Sequence, residues 1–155
     1  EKGQGAWMNE TRMRVSGRRT MSDCVFATGM PSAGRSDLPQ TLMDLAQILP
    51  ISSGVRNLGA PALDLAYVAA GRVDGFWERR LKVWDLAAGI IILKEAGGFA
   101  ESINVGGNIL EDGTVIASND QIFGSFLPIT AIDASSHQHH STEGAQLLPG
   151  QHRGR

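Results

Sequence analysis

The sequence predicts an α/β fold, a layered sheet with packed helices, from three observations. Strand-like and helix-like stretches alternate along the chain. Two of the helical stretches, Pro61 to Ala70 and Asp85 to Ala96, are apolar nearly all round and so demand cover on several sides. At 155 residues the chain is long enough for one domain with one buried core.

Each element has its own signal. Residues 1–20 read as a hairpin. Gly3 and Gly5 mark a turn, Ala6-Trp7-Met8 is a short apolar run, and Asn9-Glu10 makes a second turn. Arg12 to Ser16 then alternates polar and apolar, the period of a half-buried strand. Asp23 to Thr28 is a more continuous apolar run, as in a strand covered on both faces, and Gly29-Met30-Pro31 ends it. Residues 31–40 are a loop. Leu42, Leu45, Ala46 and Leu49 recur at helical spacing, with Pro50 as the stop. A short strand with a glycine interruption is expected in 51–58. In the helix from Pro61, the proline suits the first helical position and Gly71 the left-handed residue after the last turn. Val73 to Trp77 is a short strand. The helix from Asp85 ends at Gly97-Gly98. Phe99 to Val105 and Thr114 to Ser118 are two further strands, and Gln121 to Leu127 a last helix. Residues 1–130 therefore form the folded part. From Ala131 the chain turns polar and aperiodic, so 131–155 is expected to be a disordered tail.

Charge and composition narrow the function classes. The net charge of −2 leaves no basic footprint, so nucleic acid is not an implied partner. Arg12, Arg14, Arg18 and Arg19 make a modest basic cluster that reads as a solvated strand face. No apolar stretch reaches membrane-span length: Lys94-Glu95 stops the run around Gly89 to Leu93. The lone cysteine, Cys24, cannot form an internal disulfide, which fits a reducing compartment. His137, His139 and His140 fall in the polar tail and read as solvated.

The candidate chemistry gathers around Asp85. An aspartate where an apolar helix begins either caps that helix or, on a rigid element beside open amides, ligates a hard cation next to a phosphate. Glu78 follows a strand and stands beside the loop that leads into Asp85. Alone it reads as a solvated partner for Arg79, Arg80 or Lys82. Together with Asp85 it places two carboxylates on adjacent loop ends of an α/β sheet, where ligand crevices form. Gly59-Ala60-Pro61 is a tight strand-to-helix turn: plain turn chemistry, or amides able to approach a substrate oxygen. Trp77 and Trp84 flank this region and read as sugar walls or as packing. Asp64 and Asp74 are expected to face solvent or bond nearby turns.

Residues 84–98, Trp84-Asp85-Leu86-Ala87-Ala88-Gly89 running on to Glu95-Ala96-Gly97-Gly98, resemble the C-terminal signature of the inositol monophosphatase family. So do Arg56 to Gly71, Asp74 to Glu78, and Glu1 to Pro31, and the likeness spans 1–128 in the right order. The resemblance implies the C-terminal half of the inositol monophosphatase fold and Mg²⁺-dependent hydrolysis of inositol monophosphate. It implies that Asp85 ligates Mg²⁺ near the inositol hydroxyls, that Glu78 bonds a sugar hydroxyl, and that Gly59, Ala60 and Pro61 line the substrate. Pro61 departs from the small residue usual there and has no amide to donate.

The family's acidic Asp-Pro-x-Asp-Gly-Thr metal motif does not occur in these residues and would fall before Glu1. The chain is therefore expected to be a fragment with negligible phosphatase activity alone. A cytoplasmic homodimer acting on a small phosphorylated polyol is the implied context. The alternatives are a non-catalytic module that joins a transcription complex, and a related phosphatase acting on fructose-1,6-bisphosphate or a nucleotide 3′-phosphate.

Overall fold

A computed structural model describes residues 2–31 and 36–130. Strands β1 (Trp7–Met8) and β2 (Thr11–Arg12) form the expected hairpin, and the turn between them puts Asn9 and Glu10 at φ 49° and 64°. Met13 to Ser16, expected as strand, instead runs beside the end of a later helix, with the Val15 amide on Ala96 O.

The main sheet has five strands: β3 (Val25–Thr28), β4 (Gly54–Arg56), β5 (Gly75–Glu78), β6 (Phe99–Glu101) and β7 (Val115–Ser118). Their spatial order is β4-β3-β5-β7-β6. β3 is parallel to both β4 and β5, while β7 is antiparallel to β5 and β6. The helices are α1 (Leu38–Ile48), α2 (Pro61–Ala69), α3 (Val83–Glu95), the short α4 (Ile109–Asp112) and α5 (Asp120–Thr130). From β3 the chain crosses through α1 to β4 in one direction, then through α2 back over β3 to β5. Right-handed crossovers running in opposite directions put their helices on opposite faces. Accordingly Leu65, Val68, Leu86 and Leu93 of α2 and α3 pack with Ala27, Phe76 and Ala117. Leu45, Ile48 and Phe126 of α1 and α5 pack with Phe26, Trp77 and Ile116 on the other face.

Several expected boundaries and faces move. The first core helix buries Thr41, Asp44, Leu45 and Ile48, while Leu42, Ala46 and Leu49 are exposed. Apolar spacing chose the wrong stripe because a buried ion pair holds Asp44 inward. α1 ends at Ile48, before Pro50, which sits in a following 3₁₀ turn. Pro61 is the first residue of α2, and Gly71 has φ 68°, both as expected. α3 starts at Val83, so Asp85 is its third residue and not its cap. Trp84 is 75% and Ile91 51% exposed, so one side of α3 is open among the described residues rather than covered all round. β6 stops at Glu101 because Ser102 turns to bond Asp112 at 2.7 Å. No helix among the described residues is long and apolar enough to cross a membrane. The expected tail, with its histidines, lies outside the described residues.

Candidate active site

Two adjacent parallel strands, β3 and β5, send their chains to opposite faces, β3 to α1 and β5 to α3. The loops diverge and leave a crevice beyond the strands' carboxyl ends, the position where open α/β sheets bind ligands. Thr28 pairs with Trp77 in the register, which sets Gly29 across from Glu78. A Cβ on Gly29 would collide with the Glu78 carboxyl group, so this glycine makes the space in which the carboxylate lies. Glu78 is half-buried, on the face opposite Trp77.

Asp85 stands at the start of the helix that the same loop feeds. Its Oδ2 accepts the Lys82 amide at 3.0 Å, and its own amide donates to Lys82 O at 2.9 Å. The N-cap reading fails, since Lys82 holds that place; Asp85 instead closes a capping box from the third helical position. Among the described residues Oδ1 makes no hydrogen bond, and the side chain is only half-buried. One oxygen secures the helix start, and the other is left out of that bond.

Gly59-Ala60-Pro61 forms the turn from β4 into α2. Gly59 has φ 75°, Ala60 is extended, and Pro61 opens α2 with no side chain capping the turn. The Ala62 and Leu63 amides belong to the first turn and have no intrahelical acceptor. The donors of this helix start therefore come after Pro61, not from it.

Asp64, on the next step of α2, does not face solvent. Its carboxyl is fully buried, neither oxygen has a hydrogen-bond partner among the described residues, and burial pushes its pKa up to about 6. Asp74 is also buried, but it is satisfied. It accepts Ser16 Oγ at 2.5 Å, Arg18 at 3.0 Å and the Val25 amide at 2.8 Å. Arg18, from the basic cluster, is thus partly spent on an internal pair. Trp77 is a core residue, and Trp84 an exposed one. Burial lifts the Cys24 thiol to about 11, so it is no nucleophile.

Two polar residues beneath the crevice gave no sequence signal. Asp44 and Arg79 are both buried and form an ion pair under β5. Neither lies on an apolar period, and a charged pair formed across distant elements leaves no local pattern.

Among the described residues no three His, Cys, Asp or Glu side chains come together as a metal cage. A hollow of about 630 Å³ between α3 and residues 100–110 is lined in part by Ile90, Ile91, Val105 and Leu110. None of Gly59, Ala60, Pro61, Glu78 and Asp85 lines it.

The model of the inositol monophosphatase family matches residues 1–139. An inositol-1-monophosphatase of Mesorhizobium japonicum is 49% identical over 122 residues, covering 79% of this chain and 46% of the relative. A Nus factor SuhB of Pseudomonas aeruginosa is 39% identical over 128 residues, covering 81% and 47%. Among solved structures, the extragenic suppressor protein suhB from Bartonella henselae superposes with a TM-score of 0.78 at 45% identity, covering 83% of this chain and 50% of that one. A Thermotoga maritima IMPase does so with a TM-score of 0.73 at 36% identity. The chain spans about half the length of the curated relatives it matches.

Proposed function

The chain belongs to the inositol monophosphatase family, and from this premise we propose that it carries the substrate-orienting half of a Mg²⁺-dependent phosphatase acting on inositol monophosphate. The observation that carries the reading is the meeting of Glu78 and Gly29 at the point where β3 and β5 part, on the loop that ends at Asp85. In this reading Asp85 offers Oδ1 as one ligand to Mg²⁺. When bound, the ion polarises the phosphate and stabilises the leaving oxygen. Glu78 accepts a hydrogen bond from a polyol hydroxyl, and the amides that open α2 meet a further oxygen.

A single open carboxylate oxygen holds Mg²⁺ weakly, because the ion gives up its water reluctantly. This supports the expectation that the 155-residue chain alone turns over no inositol-1-phosphate. Phosphate release by the purified chain in millimolar Mg²⁺ overturns that part. The site itself is tested by NMR titration with Mg²⁺ and inositol-1-phosphate. The Gly59, Glu78 and Asp85 amides should shift together, and silence at all of them at millimolar ligand sinks the assignment. A homodimer in the cytoplasm belongs to the same reading.

Relatives bearing the name Nus factor SuhB favour a second reading, a non-catalytic partner in a transcription complex. A clean negative in a pull-down with RNA polymerase ends it.

A further inference from the structure

We propose that Asp44, on α1, is a positioning residue for Glu78, acting through the two residues that flank it. The proposal rests on the role read for Glu78 above. The Asp44 side chain is fully buried, and its Oδ2 accepts Trp77 Nε1 at 3.0 Å together with a guanidinium nitrogen of Arg79. Trp77 and Arg79 come directly before and after Glu78. Alternate residues of a strand share a face, so both turn towards α1 while Glu78 turns the other way, to the crevice. One buried carboxylate thus grips the chain on both sides of Glu78.

Three further bonds complete the clamp. Thr28 Oγ1 donates to Trp77 O at 2.6 Å, fixing the strand end against its parallel neighbour. Arg79 donates from its other terminal nitrogen to Thr130 O at 2.9 Å, tying in α5. Gln40 Nε2 donates to Asp44 Oδ1 at 3.1 Å and holds the carboxylate from within α1.

The chemistry makes this grip stiff. Charge-assisted bonds away from water are short and strong, and freeing either partner leaves a buried charge without compensation. The end of β5 therefore cannot drift without breaking the pair. A group that must meet a substrate hydroxyl needs its position held to a fraction of an ångström, and its supporting side chains supply that. The chain then turns sharply at Arg80, φ 62°, into the loop that delivers Asp85, so the clamp fixes the origin of that loop as well.

The test uses the isotopically labelled 155-residue chain. The Glu78 carboxyl ¹³C signal and the amides of Trp77 to Arg80 are followed in Asp44→Asn, Arg79→Lys and Gln40→Ala. Asp44→Asn and Arg79→Lys should shift and broaden the Glu78 signals, with the spectrum of β6 and β7 retained. Gln40→Ala touches only the other oxygen and should leave Glu78 in place even where it lowers Tm. Folded Asp44→Asn and Arg79→Lys proteins with unmoved Glu78 signals overturn the proposal, whatever their Tm. If Asp44→Asn does not fold, Arg79→Lys decides alone. The readout is position, not turnover. A chain that binds no inositol phosphate but shows the clamp refutes the phosphatase reading only, and one that binds it with Glu78 indifferent to Asp44 refutes the clamp only.

Discussion

Removing the charge of Asp64 should abolish a pH dependence that this one side chain imposes on stability. Its carboxyl is sealed on the inner stripe of α2 beside Leu65, with both oxygens unpartnered among the described residues. Burial raises its pKa from 3.8 to about 6. Below the unfolded value, both folded and unfolded states hold the proton and nothing is lost. As pH rises towards 6 the unfolded chain ionises while the folded one stays neutral, so stability falls. Above the folded value the loss levels off. About two pKa units at about 1.4 kcal/mol each give a total near 3 kcal/mol, of which about 1.4 falls between pH 5 and pH 7.5. With a urea slope of about 2 kcal/mol/M, the wild-type midpoint should drop by about 0.7 M over that interval. Asp64→Asn should remove this drop relative to wild type, and Asp64→Leu should also raise the midpoint at pH 7.5. The assay is urea unfolding followed by circular dichroism at the two pH values. Equal pH slopes in wild type and Asp64→Asn would refute the reasoning, because burial of that carboxyl would then not be the cause.

Two other substitutions probe the frame around the site. A Cβ at Gly89 would lie 2.7 Å from Leu65, where α3 crosses α2, so Gly89→Ala should separate the helices and lower stability by about 1–3 kcal/mol in chemical unfolding. Glu95 receives the Gly3 and Gly5 amides at 2.6 and 2.8 Å, which hold its pKa below the usual value. Glu95→Gln should speed hydrogen exchange at Gly3 and Gly5 with little change at β5. In the wild type the protection of these amides, taken relative to the exchange rate of an unstructured chain at the same pH, should hold above the ordinary glutamate range and be lost as pH falls through the lowered folded value.

How far the sequence could be read depended on where each residue's partner lies. α2 was legible at both ends because its signals are local: proline tolerates the first helical position, and glycine the positive φ that follows the last turn. The hairpin turn at Asn9-Glu10 was legible for the same reason. The stripe of α1 was not, since Asp44 is inward only by virtue of Trp77 and Arg79, more than thirty residues away. That Asp85 helps to close the start of α3 was legible, although Lys82 and not Asp85 is its cap. Whether it also ligates could not be read, because that depends on what its second oxygen faces. The two tryptophans show the same limit: Trp77 is sealed by the helices on its face, and Trp84, on an equally apolar helix, is left outside.

By itself the sequence determined the alternation of strands and helices, the family pattern, and the three stretches around Gly59, Glu78 and Asp85 from which the proposed site is drawn. These follow from backbone sterics and apolar period, which act between near neighbours. Only the tertiary structure decided that Glu78 meets Gly29 where β3 and β5 diverge, that Asp64 is buried without a partner, and that Asp44 lies beneath the crevice. Those facts depend on which strands become neighbours, and strand order arises from packing across the whole chain rather than from any local run of residues.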